Sequence, residues 1–293
     1  MEIPARARWQ ATCLTPSVLF FSGTITVEIM DFLSRKLHER AGRHGPVMLM
    51  YHAVLPGHAT PAWPWAVSMR QFRAQLDFLV AEGYSTPTMR DLVAAPHKWP
   101  TRTAVITFDD GYTDNLAACE ELDKRGMRAS FFVVAGSIGR EPHWPTDGQP
   151  VGRMLNAEEL RDMHRKGFEI GSHTVNHAHL PTLGDEELHR ELADSRALIE
   201  TALNAPVTSF AYPYGEWDMR CARAAADTGY AAACTTRTGW ALRDGNPYAM
   251  RRLTIFNSDS LAAFMRKLSY AANDVRWTNL AKQFLAIRKG TQV

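Results

Sequence analysis

Seven short apolar runs constrain this chain more than anything else in it. They are VMLMY (47–51), AVITF (104–108), ASFFVV (129–134), FEIGS (168–172), VTSFAY (207–212), YAAAC (230–234) and LTIF (253–256). Most are continuously apolar rather than alternating, the pattern of strands buried on both faces. Between most of them the spacing turns helical. Met69, Phe72, Leu76 and Leu79 share one face of a segment that Gly83 ends. Asn156 with Glu159 three residues on gives a capping-box start to 155–167. Leu188, Leu192, Ile199 and Leu203 line one face of 185–203, and 217–228 stops before Gly229. Strands alternating with helices predict a parallel α/β fold. Seven such units suit one distorted (β/α)7 TIM-like barrel over 46–258 better than two domains. Residues 1–45 fall outside the pattern as an N-terminal extension. Residues 259–293 form a C-terminal helical extension, with Leu261, Phe264, Met265, Leu268, Leu280 and Phe284 as the apolar side of a helix over 259–290.

Composition narrows the partners. A net charge of +2 gives no general attraction to nucleic acid. The four cysteines, Cys13, Cys119, Cys221 and Cys234, have no CxxC spacing, so they read as reduced thiols compatible with a cytoplasmic setting. LTPSVLFFSGTITV after Arg6 and Arg8 resembles a weak leader, but Pro16 and Gly23 dilute it and no small-x-small cleavage site follows. Glu28 and Asp31 interrupt it before a spanning length of about 20 residues is reached. The expectation is a cytoplasmic, membrane-proximal protein with no spanning segment. Secretion, peripheral membrane association and a true start at Met30 stay open.

In parallel α/β folds the C-terminal strand ends and the loops after them carry the chemistry. Four such ends gather polar groups here. They are His52 after the first run, Asp109 and Asp110 after AVITF, His173 and His177 after FEIGS, and Pro213-Tyr214-Gly215 after VTSFAY. Asp-Gly by itself reads as a turn and HxxxH by itself is commonplace. Together on one face, two imidazoles and one carboxylate make a three-ligand set for a divalent ion. The second carboxylate is then free to act as a base.

TFDDG, SHTVNH and AYPYG, in that order, resemble the first three motifs of the polysaccharide deacetylase family, the NodB-homology or carbohydrate esterase family 4. The resemblance implies metal-dependent removal of an acyl group from a sugar. It implies Asp109 as general base, Asp110, His173 and His177 as ligands of Zn (or Co, Ni, Mn or Fe), and the Tyr214 N–H as oxyanion donor. Two departures matter. No histidine follows His189, so the usual C-terminal acid is missing. MLMYHAV is similar to the N-terminal motif of the circularly permuted poly-N-acetylglucosamine deacetylase branch, which makes His52 the expected acid. Ala211 also stands where the family's Arg pairs with the base, and Arg252 or its neighbour Arg251 is the expected substitute.

Pro213, Tyr214 and Trp217 are the expected substrate contacts, with Trp144 and Trp240 as further candidates for a sugar-stacking wall. Ser172 and Thr174 either orient His173 or cap its loop, and His179 is a bystander. The expected substrate is an N-acetylated glycan in a polysaccharide or its lipid-linked precursor. The alternatives are a glycan-binding barrel without turnover, a deformylase or amidohydrolase of the same fold, and a non-haem iron oxygenase built on the same three ligands.

Overall fold

All seven apolar runs pair into one parallel sheet in a computed structural model that describes residues 31–41, 45–144, 148–150 and 152–280. The strands are β1 (Val47–Tyr51), β4 (Ala104–Phe108), β5 (Ala129–Val133), β6 (Glu169–Ser172), β7 (Ser209–Ala211), β8 (Ala232–Cys234) and β9 (Leu253–Thr254). Their order is β8-β7-β6-β5-β4-β1-β9, and a bridge between Cys234 and Met250 closes the gap between the two edges. The result is a distorted seven-stranded barrel. Helices α2 (Met69–Ala81), α4 (Asn115–Asp123), α5 (Ala157–Arg165), α6 (Asp185–Leu203), α7 (Met219–Asp227) and α8 (Leu261–Tyr270) follow individual strands.

Residue parity sorts the barrel into two layers, because successive side chains of a strand point to opposite faces. Val47, Leu49 and Tyr51 of β1, Ala104, Ile106 and Phe108 of β4, Phe131 of β5 and Leu253 of β9 join the cluster that holds the helix side chains Phe72, Leu76, Leu122 and Leu160. The alternate residues Met48, Val105, Phe132, Ala211 and Cys234 form a separate inner cluster. The short helix α3 (Met89–Ala94) contributes Met89 and Leu92 to that inner cluster.

Inside the barrel sits Glu169, 2% exposed. Its carboxylate accepts hydrogen bonds from Ser130 Oγ at 2.6 Å, Ser209 Oγ at 2.6 Å and the Arg90 N–H at 3.0 Å. Glu169→Ala strands two buried hydroxyls and a part-buried N–H, so it is expected to cost about 3 kcal/mol, read as a lower urea midpoint at unchanged m-value. A loss below about 1 kcal/mol would show that this network does not hold α3 and the strands together.

Two features differ from the expectation. A parallel pair, β2 (Ala53–Leu55) and β3 (Ala66–Ser68), extends the chain after β1. Three-residue strands leave too short an apolar run to read. The terminal helix is not continuous over 259–290: it ends at Tyr270, with Ala271 left-handed at φ +48°. Asn273 then accepts from the Thr254 N–H, tying the turn to β9. An alanine at a position that favours glycine gave no stop signal. Phe264, Met265 and Leu268 of α8 are buried, with Phe264 against Phe78 at 6.2 Å, while Leu261 in its first turn is exposed. Residues beyond 280, including Phe284, lie outside the described residues, as do the leader-like stretch, Cys13 and Met30. Part of the N-terminal extension is docked. Helix α1 (31–40) buries Ser34 and His38, Arg266 donates to Ser34 Oγ, and His38 lies edge-on to Phe78. No described helix is long and apolar enough to cross a membrane.

Candidate active site

The site is built on the inward parity. His52 continues Met48 and Met50 of β1, Asp109 continues Val105 and Thr107 of β4, and His173 continues Glu169 and Gly171 of β6. The Asp109 N–H still bonds to the Tyr51 carbonyl at 3.0 Å, as if the ladder ran on. Then the chain reverses. Asp110 has φ +73° and Gly111 φ +91°. A Cβ on Gly111 would lie 3.0 Å from Val133 Cγ1, so the reversal needs glycine there. Asp109-Asp110-Gly111 is therefore a turn that leaves both carboxylates, Asp109 and Asp110, facing one cavity.

Asp110 Oδ1 lies 3.6 Å from His173 Nε2 and 3.4 Å from His177 Nε2, and the three donor atoms all fall within 4.8 Å of one another. His173 Nδ1 sits 2.7 Å from the Ala211 carbonyl, which can only accept. That bond puts the ring proton on Nδ1 and leaves a lone pair on Nε2. Burial also pulls the His173 pKa down to about 4, against the pull of Asp109 and Asp110, so the ring is neutral at pH 7. The His173–Asp110 approach is thus two lone pairs facing each other rather than a salt bridge. Asp110 Oδ1 is buried and has no hydrogen-bond partner among the described residues. Burial raises the Asp110 pKa, but the His177, His52 and His173 rings outweigh it and hold the carboxyl ionised far below the usual range. Converging lone pairs on an ionised carboxylate and two imidazoles, with one carboxylate oxygen unpartnered, fit a divalent cation.

The histidine loop is held by a residue that no motif marks out. Glu191, buried on α6, accepts from the Val175 and Asn176 N–H groups at 2.9 Å each and from the Asn176 side chain. Thr174 and His177 both have positive φ, so this loop is strained and needs such an anchor. The flat face of Trp144 lies on the His177 ring at 4.9 Å.

Asp109 faces Arg252, which is fully buried. The guanidinium donates Nη1–H to Oδ1 at 2.6 Å and Nη2–H to Oδ2 at 2.8 Å, and its Nε–H bonds to the Thr235 carbonyl. Burial raises the Asp109 pKa, yet Arg252, with His173 and His52, brings it below the ordinary carboxylate value. Arg251 instead pairs with Asp244 on the outside. His52 stands edge-on to Trp63 at 5.5 Å, and burial lowers its pKa despite nearby Asp110 and Asp109. Asn115 Nδ2 donates to the His52 carbonyl at 2.8 Å and to Asp114 Oδ1 at 2.9 Å, and Asp114 Oδ1 also accepts from the Val54 N–H. The pair grips the backbone on both sides of Ala53, just past His52.

Tyr214 is left-handed at φ +59°. Its ring stands over His177 at 4.5 Å and stacks flat on His179 at 4.0 Å. Gly215 beside it is obligatory, since a Cβ there would lie 2.0 Å from Thr236 Oγ1. His52, Asp109, Asp110, His173, His177 and Tyr214 share one cavity of ≈ 380 Å³.

Some expected contacts fall elsewhere. Trp217 does not line the cavity: it stacks on Tyr212 at 6.1 Å with Arg237 on its ring. Pro213 is buried under the turn and is not part of the lining. Trp240 packs on the outer core. The cavity's indoles are Trp63 and Trp65, from the loop between β2 and β3. The Ser172 hydroxyl bonds to Ser195, so neither it nor Thr174 orients His173; the Ala211 carbonyl does.

A profile of the family described as polysaccharide deacetylase matches residues 97–233. Bacillus subtilis YxkH, a protein assigned by name to the polysaccharide deacetylases, is 34% identical over 221 residues, covering 74% of each chain. The structure of IcaB from Ammonifex degensii superimposes with a TM-score of 0.66 at 26% identity, over 79% of this chain and 98% of that one. The fold is shared with the Streptococcus pyogenes deacetylase PplD, solved with acetate, at a TM-score of 0.67 and 24% identity over 78% and 99% of the two chains.

Proposed function

Since the chain belongs to the polysaccharide deacetylase family, we propose that it hydrolyses the acetamide of an N-acetylated sugar within a polysaccharide or its lipid-linked precursor, with a divalent ion on Asp110, His173 and His177. The observation that carries this is the pairing of an ionised Asp110, its Oδ1 without a hydrogen-bond partner and facing two imidazoles, with a second carboxylate, Asp109, held beside it by Arg252. A borderline N,N,O donor set favours Zn²⁺, and Co²⁺, Ni²⁺, Mn²⁺ and Fe²⁺ fit the same residues.

When bound, the ion lowers the pKa of a water molecule and polarises the acyl oxygen. Asp109 accepts the proton of the attacking water; the charge of Arg252 keeps it ionised and the bidentate grip fixes its orientation. The Tyr214 N–H, turned by its left-handed backbone, donates to the oxyanion. His52 delivers a proton to the leaving nitrogen, which stays on the sugar as the amine. The balance is one water consumed, one acetate released and one ammonium left on the sugar. Support for the permuted branch is His52 itself, which follows the first strand and lines the cavity.

A binding-only barrel would be favoured by an Asp109 without a charge partner, and Arg252, just before β9, supplies that partner. An oxygenase would leave Asp109 and Arg252 without work. A deformylase would differ in the acyl group released, and a ring-opening amidohydrolase of nitrogen heterocycles in releasing none. The test is product analysis on N-acetylglucosamine oligomers: acetate and new amine in equal amounts support the proposal. Release only of formate, or no release from any acylated sugar offered, would overturn it.

His173→Ala is expected to reduce the zinc retained after dialysis from about one per chain to a small fraction, because a lost ligand costs more than the 10–100-fold typical of a lost ligand partner. Full retention would mean the ion sits elsewhere.

A further inference from the structure

We infer that Trp65 is a stacking platform for the sugar unit next to the reacting one, so that the enzyme selects oligomers over single sugars. The inference rests on the carbohydrate reading above. Among the described residues, the exposed large hydrophobic side chains that line the cavity are Trp65, 39% exposed, and Tyr214, 44% exposed. Tyr214 belongs to the turn after β7 and is already stacked on His179. Trp65 has no such cover and is held from behind. Trp63 lies 5.7 Å away and Phe256 6.3 Å away, both tilted against it. A rigid, half-exposed indole loses little freedom on binding, and its apolar face matches the C–H face of a sugar ring.

Position decides which part of the substrate meets it. Trp63, which backs Trp65, touches His52 edge-on at 5.5 Å. His52 serves the leaving nitrogen, and that nitrogen remains on the sugar. The acetyl group therefore points toward Tyr214 and the three ligands, and the glycan chain emerges on the His52 side. A cavity of ≈ 380 Å³ takes roughly one acetylated ring. The next ring along the chain lies at the rim, where Trp65 stands. Contacts to such a remote unit contribute to kcat/KM because binding there orients the reacting unit.

The experiment compares metal-loaded wild type, Trp65→Ala and Trp65→Phe on N-acetylglucosamine monomer, dimer and tetramer, in both β-1,4 and β-1,6 linkages. The readout is the ratio of kcat/KM for tetramer to that for monomer. Wild type is expected to favour the tetramer at least roughly tenfold, Trp65→Ala to reduce the ratio roughly tenfold, chiefly through KM, and Trp65→Phe to restore most of it. An unchanged ratio in Trp65→Ala overturns the platform. Thermal melts check that each variant is folded. Absence of acetate from every substrate would count against the deacetylase reading alone. Calorimetric binding of the same tetramers then scores the platform separately: tighter binding than monomer, lost in Trp65→Ala, upholds it, and equal or absent binding overturns it.

Discussion

Asp109→Asn is expected to lower acetate release by roughly 10³–10⁴-fold, the upper part of the range for a lost general base. Metal content should not change, because the proposed ligand set is Asp110, His173 and His177. The substitution also removes the counter-charge of a fully buried guanidinium. Breaking a buried pair from one side costs about 3–5 kcal/mol, so the variant should melt several degrees lower and be assayed well below that point. Loss of activity together with loss of metal would show instead that Asp109 is a ligand or that the site has collapsed. Retained activity would remove Asp109 from the mechanism.

Arg252→Met should be as damaging by a different route. The carboxylate of Asp109 is left buried without its guanidinium, and burial then pushes its pKa up, so a larger share of the base is protonated. Activity at neutral pH should fall at least roughly 10²-fold and recover in part as pH rises. Stability should fall by about 3–5 kcal/mol at pH 7. The pH dependence has a definite sign. In the wild type the folded pKa of Asp109 lies below its unfolded value, so the pair stabilises fully above the ordinary carboxylate range and the benefit is lost as pH falls through the folded value. The gap in melting temperature between wild type and Arg252→Met should therefore be widest near neutrality and close on acidification. The double variant Asp109→Asn/Arg252→Met should be more stable than the sum of the single losses, since neither buried charge remains alone. A constant gap, or additive losses, would contradict the assigned pairing.

Arg252 also shows how far the sequence can be read. Its choice over Arg251 follows from parity: Leu253 and Ile255 pack outward with the helices, so 252 points inward and 251 does not. The same alternation aims His52, Asp109 and His173 into the barrel, so the centre of the site was legible from strand positions and motif spacing together. The three-residue strands around Trp63 and Trp65 were not, because a segment that short carries no periodicity. Trp217, nearest the PYG turn in sequence, was the natural candidate for substrate contact. The turn at Tyr214 and Gly215 sends it outward onto Tyr212. Glu191 and Glu169 were equally silent: each looks like one more acid in a helix or strand until its hydrogen-bond donors, distant in sequence, are brought to it by the fold. The break at Ala271 lacked the glycine that usually announces a helix end.

The most direct measurement is stoichiometric reloading. Metal-stripped wild-type protein, titrated with Zn²⁺ in the presence of N-acetylglucosamine tetramer, should release acetate at a rate that rises linearly and levels at one ion per chain, while Asp110→Asn stays flat through the same additions. Acetate release from the stripped protein that is indifferent to added metal, or equal reactivation of Asp110→Asn, would contradict the account.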